Sequence, residues 1–297
     1  MTRNTHVIFD QQVSDFLSRH RLPPEFRRVA EQHYLPLAKR LLQIRDGERQ
    51  LLLGVNGAQG TGKSTLADFL RLATESMFGW NVAVLSIDDF YYTLAERKAL
   101  ADEVHPLLKT RGVPGTHDTD MLARYLERLQ KLAESERIAL PRFDKAIDNR
   151  ADEARWPVVE GPIDLVILEG WCVGTQAQSD AELQQPVNAR EREEDPDGVW
   201  RRYVNNQLKA NYEPIFSKLD ALIFIGAPNF DAILRWRLEQ EEKLAAASPS
   251  GSSGLMNEQQ MIRFIQFYER LTRANLATLP DRADFVFRLD DSHAIIS

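Results

Sequence analysis

Cysteine is nearly missing from this chain, which carries a single one, Cys172, in 297 residues. An internal disulfide is therefore excluded, and such usage suits a reducing compartment. Positive charge is in the minority: 37 Lys and Arg stand against 44 Asp and Glu, a formal net charge of −7. That balance speaks against a broad nucleic-acid footprint and leaves room only for a local basic pocket. No apolar run approaches the roughly 20 residues that span a bilayer. The opening stretch "MTRNTHVIFD" has neither the apolar core of a secretory signal nor the Arg- and Ser-rich, acid-poor character of a transit peptide. A cytoplasmic protein without membrane, nucleic-acid or required protein partners is expected. His6, His20 and His33 stand outside any motif, and no Cys/His cluster suggests zinc. There is no internal repeat.

What is present starts with "GVNGAQGTGKST", residues 54–65. Gly57, four intervening residues and Gly62-Lys63-Ser64 reproduce the spacing of a phosphate-cradling loop. Glycines let the backbone turn tightly and aim its N–H groups at phosphate oxygens, where a side chain would block approach. Gly57, Ala58, Gln59, Gly60, Thr61, Gly62, Lys63, Ser64 and Thr65 are the candidate nucleotide-binding residues. Lys63 can reach the β- and γ-phosphates of ATP, and the Ser64 hydroxyl can ligate Mg²⁺. The apolar run Leu51-Leu52-Leu53 precedes the loop, and Leu66, Phe69, Leu70 and Ala73 follow at helical spacing. Strand, glycine loop, helix is the order the motif requires.

From residue 51 onward strands and helices alternate. Strands are expected at 51–55, 82–87, 138–140, 163–168, 221–225 and 285–289, and helices at 64–77, 118–134, 199–218, 229–246 and 257–276. This alternation implies an α/β fold, a mainly parallel sheet flanked by helices. Residues 1–48 are expected to form a helical N-terminal extension on a core domain of residues 49–297. Within it Phe26, Val29, Ala30, Tyr34, Leu37, Ala38, Leu41 and Leu42 fall on one stripe. The charged stretch 175–198, with "REREED" at 190–195, predicts a solvated loop. "AAASPSGSSG", residues 245–254, predicts a flexible connector, followed by a helix that Asn257 and Gln260 cap as a box.

Acidic groups stand at predicted strand ends, where parallel α/β sheets place ligands. "LSIDDFY" puts Asp88 and Asp89 after the second strand, and "IDLVILEGW" puts Glu169 after the strand at 163–168. A carboxylate facing the phosphate loop can hold Mg²⁺, which makes Ser64, Asp88 and Glu169 the metal candidates, and another can take a proton from an attacking hydroxyl. A strand-end Asp also commonly caps a helix. "RGVPGTHD" (111–118) is a turn into a helix capped by Asp118, in which Arg111 and His117 could face an anion or simply build the turn. "PRFDK" places Arg142, Asp144 and Lys145 just after a strand, as substrate contacts or as a surface Asp144–Lys145 ion pair. Cys172 and Trp171 are read as packing.

These stretches resemble a known family. "SIDDFY" is similar to the Asp-x-Phe-Tyr element of uridine kinases and phosphoribulokinases, to which the Asp-Gly-Phe of pantothenate kinases is related. Asp88 matches the acceptor-side acid there, and Asp89 occupies the small variable position after it. "RGVPGTHD", "LPRFDKAIDNRAD" (140–152), "DLVILEGWCVG" (164–174) and "RWRLEQEEKL" (235–244) resemble the D-glycerate 3-kinase family of plant and microbial type. "GLMNEQQMIRFIQFYERL" (254–271) matches more loosely, and the similarity runs from residue 51 to about 290. Ala58 departs from the Pro that the family commonly has. The resemblance implies a P-loop small-molecule kinase that uses ATP and Mg²⁺, with Lys63, Asp88, Glu169 and Arg237 catalytic.

On a helix Arg235 and Arg237 point about 200° apart; by the resemblance Arg237 is the residue of a helical lid, about 235–256, that meets the transferring phosphoryl group. Trp236 is read as packing. The implied acceptor is a small anionic hydroxy acid, D-glycerate, with Arg111, His117, Arg142, Asp144 and Lys145 toward it. Uridine-, pantothenate- or phosphoribulose-like acceptors are the alternatives, as is an NTP-driven switch with a protein partner, although no guanine-reading Asn-Lys-x-Asp run occurs.

Overall fold

Residues 3–45, 47–247 and 257–297 are described by the computed structural model, side chains from Phe9 on and excepting 243–247. Nine strands occur among the described residues: β1 (Leu51–Gly57), β2 (Val82–Ser86), β3 (Arg137–Ala139), β4 (Phe143–Asp144), β5 (Asn149–Arg150), β6 (Val158–Glu160), β7 (Leu165–Gly170), β8 (Ala221–Gly226) and β9 (Phe285–Arg288). Five form one sheet in the order β2-β7-β1-β8-β9, and all four pairings are parallel. β7 and β8 are buried at every position, as expected of strands covered by helices on both faces.

The helix Lys63–Phe78 buries Leu66, Ala67, Phe69, Leu70 and Ala73, and Gly79 ends it in the left-handed region. After it in the chain the long helices are Thr119–Gln130, Val199–Phe216 (with a π turn at Leu208–Tyr212), Phe230–Ala247 and Glu258–Thr278. Asp118 caps the first of these, and Asn257 with Gln260 caps the last as a box. No helix of the described residues is long and apolar enough to cross a membrane.

In four places the fold departs from the sequence expectation. Residues 137–139 do not join the main sheet; β3 pairs antiparallel with β6 in a separate ribbon. The N-terminal helical stretch is broken between Arg19 and Phe26, where Pro23-Pro24 follow Arg21 at φ 53°. Its apolar stripe packs on the helix Lys63–Phe78 and the edge strand: the Tyr34 ring lies 5.7 Å from Phe69 and 6.1 Å from Phe287, while Leu42 stays 46% exposed. A helix at Leu94–Glu103, opened by a Thr93/Glu96 capping box, was not anticipated.

The fourth departure is the largest. Residues 176–187 are the largely exposed loop expected, but 188–198, which hold most of the charge, are not. Asn188 caps a short helix, Ala189–Glu194, and Glu191 is fully buried in a bidentate pair with Arg270, at 2.7 and 2.6 Å. Asp195 and Arg201 form a second buried pair at 3.0 Å, and the Arg190 guanidinium lies 3.9 Å over the Phe267 ring. The charge run supplies partners for the helix Glu258–Thr278. The connector at 245–254 lies largely outside the described residues, as does the distal part of the lid stretch.

Candidate active site

β1 delivers the phosphate loop to the carboxyl edge of the sheet. Thr61 closes the turn by donating both its N–H and its hydroxyl to the Ala58 carbonyl, at 3.3 and 2.9 Å. Gly60 and Gly62 take φ of 85° and 87°, a region costly for any residue with a Cβ. A Cβ at Gly57 would stand 2.4 Å from the Thr61 hydroxyl. Gln59 Oε1 is buried without a partner. Lys63 and Ser64 open the helix, where backbone N–H groups and the helix dipole favour an anion. Lys63 makes no side-chain hydrogen bond among the described residues, yet its charge acts on Asp88.

Glu169, next to last in β7, is in register with Val55 on one side and Ser86 on the other, which sets it beneath the loop. Its Oε1 accepts the Ser64 hydroxyl at 2.9 Å. Its Oε2 is buried with no partner, an orphan that a cation would satisfy. No group of three or more His, Cys, Asp or Glu among the described residues is arranged as a metal cage. Mg²⁺ does not need one, because it commonly takes one or two carboxylates together with water and substrate phosphates. Ser64 and Glu169 therefore fit that ion.

After β2 the chain makes a 3₁₀ turn, Ile87–Phe90, whose Ile87 and Phe90 enter the core. Asp88 and Asp89 face differently charged surroundings. Burial pushes Asp88 upward, but Lys145, hydrogen-bonded at 2.6 Å, and then Lys63 hold it down at about 2. The Tyr91 hydroxyl donates to its other oxygen at 2.9 Å. Asp89 is pushed up to about 6 by burial, assisted by the negative charge of Asp88 and Glu169 and opposed by Arg142. It accepts from Arg142 at 3.2 Å and from the Phe143 backbone N–H at 3.0 Å.

The acceptor-side candidates come together differently from the sequence expectation. Arg111 is not a free cation: it pairs with Asp148, which also holds the buried Arg97 at 2.8 Å. His117 is not a cation either. It is 1% exposed, and burial lowers it to about 4. Its ring stacks on Tyr91 at 4.3 Å, and Nδ1 lies 2.8 Å from the Tyr212 hydroxyl. Asp144 and Lys145 do not pair with each other: Asp144 takes Arg155 at 3.2 Å and the Ala146 N–H, while Lys145, 58% exposed, reaches Asp88. Asp144 points to a surface partner, whereas Arg142 and Lys145 converge on the strand-end acids.

Arg235 and Arg237 diverge as helical spacing requires. Arg235 pairs with Asp291 across the surface. Arg237 contacts Gln240 and, at 3.8 Å, Glu241, and its Nε is buried without a partner. Burial and Asp88 raise the Tyr268 hydroxyl while Arg111 and Arg237 oppose them. Trp236 is buried, stacked on His293 at 3.7 Å. Cys172 is fully buried and burial raises its thiol, consistent with packing.

Five neighbours of the site were not among the candidate residues. Tyr91, Arg97, Asp148, Tyr212 and Tyr268 reach it from separate elements. Tyr91 closes the stretch "SIDDFY" and Asp148, at φ 52°, sits at a turn within "LPRFDKAIDNRAD", so both carried a local signal, whereas Arg97 and Tyr212 lie in no quoted motif.

No family model matches the chain. An uncharacterized kinase of Schizosaccharomyces pombe is 36% identical over 231 residues, which cover 74% of this chain and 79% of that protein. The chloroplastic D-glycerate 3-kinase of Arabidopsis thaliana is 32% identical over 250 residues, 80% of this chain. The aligned region spans 50% of that plant protein. A D-glycerate 3-kinase of Cryptococcus neoformans superposes with a TM-score of 0.72 at 25% identity, covering 93% of this chain and 98% of that one.

Proposed function

Since this chain belongs to the D-glycerate 3-kinase family of P-loop small-molecule kinases, we propose that it transfers the γ-phosphoryl group of ATP to D-glycerate, giving 3-phosphoglycerate. The observation that carries this reading is the docking of a cationic hairpin on the strand-end acids: Lys145 on Asp88 and Arg142 on Asp89. A hydroxyl beside Asp88 and a carboxylate beside Arg142 and Lys145 belong to one small hydroxy acid. A planar guanidinium matches a carboxylate well.

In this proposal the loop Gly57–Thr65 cradles the phosphates, and Lys63 follows the group in flight. Ser64 and Glu169 would hold Mg²⁺, which when bound neutralises phosphate charge. Asp88, ionised at neutral pH and oriented by Tyr91, orients the acceptor hydroxyl and takes its proton late, as suits a loose transition state in which positioning and electrostatics dominate. Arg237 and the helix that bears it act as the lid. His117 contributes shape and a neutral ring rather than charge. Arg111 supports the hairpin through Asp148.

The test is a coupled ADP assay with D-glycerate, uridine, pantothenate and ribulose 5-phosphate. D-glycerate should be turned over fastest. Faster turnover of another acceptor removes the substrate assignment and leaves the kinase.

A further inference from the structure

The β4–β5 hairpin has only two cross-strand pairs, Phe143 with Arg150 and Asp144 with Asn149, too few to hold its shape alone. Its position is set from outside. Arg150 reaches Asp118 at 3.0 Å, Asp148 is held by Arg97, and Phe143 packs edge-on against Tyr91 at 5.3 Å. Asp89 holds backbone and side chain of the first strand at once, with one oxygen on the Phe143 N–H and the other on Arg142 Nη1, as Arg97 does at the turn through the Asp148 carbonyl and carboxylate. Nη1 also donates to the Pro141 carbonyl at 2.7 Å. Nε and Nη2 of Arg142 make no hydrogen bond among the described residues, and the side chain is 35% exposed. One edge of the guanidinium is thus engaged by the protein, and the other is open for a carboxylate.

We propose that Asp89 is a positioning residue that fixes the hairpin and aims the open edge of Arg142 at the acceptor's carboxylate, so that it sets the preference for an anionic acceptor without touching it. This rests on the proposed function for the identity of the acceptor and on the Asp89 contacts for the clamp. A pre-aimed guanidinium loses little freedom on binding, whereas an unheld one must be ordered by the substrate.

Asp89→Ala and Asp89→Asn separate this role from simple loss of structure. Asp89→Ala should raise the KM for D-glycerate about 10- to 100-fold, the size of one oriented charge-assisted contact. The KM for ATP should stay within about twofold. Glycerol, which has no carboxylate, should be affected little, so the preference for D-glycerate over glycerol shrinks. Asp89→Asn keeps an oxygen for the Phe143 N–H and should fall between wild type and Asp89→Ala. Equal losses for both acceptors with the preference intact overturn the proposal. Amide exchange provides a readout that does not depend on the acceptor: the backbone of 142–150 should exchange faster in Asp89→Ala, with Phe143 still protected in Asp89→Asn. Unchanged exchange in Asp89→Ala overturns the clamp. A wild type that ignores D-glycerate overturns the acceptor, and the exchange result still decides the clamp.

Discussion

The donor half and the acceptor half of the site meet at the carboxyl ends of β1, β2 and β7, and they are provisioned in opposite ways. On the donor side, among the described residues, Lys63 has no hydrogen-bond partner and Glu169 Oε2 is buried unsatisfied. On the acceptor side Arg111, Arg142, Lys145 and Arg150 each already hold a carboxylate: Asp148, Asp89, Asp88 and Asp118. In the proposed reading the donor half presents its cation and its orphan oxygen without internal partners. The acceptor half is internally neutralised, so in the proposed reading an anionic acceptor shares Arg142 with Asp89 through the open edge of the guanidinium. Affinity for the acceptor is then a difference between two sets of ion pairs, whereas affinity for ATP is nearly a direct sum.

Lys63→Ala breaks the donor half outright. Turnover should fall by about 10³-fold or more with every acceptor, the loss expected when a charge aimed at the transition state is removed. Near-normal ADP formation would remove the phosphate-loop assignment.

Asp88→Asn acts where the halves join. A fall in kcat of about 10²-fold, with ATP affinity almost unchanged, is the size expected for loss of a proton acceptor. If Asp88→Asn is active while Asp89→Asn is crippled in kcat, the chemical and positioning roles of the two acids are reversed.

Arg142→Ala probes the acceptor half alone. The KM for D-glycerate should rise about tenfold or more while that for ATP stays level. Equal rises in both would mean that the two halves are coupled more tightly than their separate ion pairs indicate.

A separate effect, on stability, tests the buried charges. Burial holds His117 at about 4 in the folded chain against 6.5 ordinarily. Between those values the unfolded chain binds a proton that the native state refuses, so stability falls as pH drops, by on the order of 3 kcal/mol in all. Asp89 works the other way: its folded value of about 6 lies above the ordinary 3.8, so acid through that window favours the native state. Urea denaturation at pH 7, 5 and 4 should show a shallower acid loss in His117→Gln and a steeper one in Asp89→Asn. Parallel curves would mean that neither group carries its shift into stability.

Local sequence signals account for the donor half and for most helices. The loop's spacing, the apolar run of β1 and the stripe Leu66, Phe69, Leu70 lie within about 25 consecutive residues, and each reads without knowledge of the rest. The Asp118 cap and the Asn257/Gln260 box were legible for the same reason. The 190–195 charge run misled because charge density predicts solvation, and nothing near it in the chain shows that Arg270, 79 residues beyond Glu191, will meet it.

The amino-acid sequence by itself determined the fold class, the phosphate loop, the positions of Asp88, Asp89 and Glu169 at strand ends, and the family. The first three follow from periodicity and spacing over short windows, where backbone geometry leaves few choices, and the family from the resemblance of whole motifs in their order. Only the tertiary structure decided which acid takes which cation, that His117 is neutral, and that Lys145 belongs to Asp88 and Arg142 to Asp89. Those pairings join segments more than 50 residues apart. A side chain's charge and reach are the same in every context, and its partner and dielectric surroundings exist only once the chain has folded.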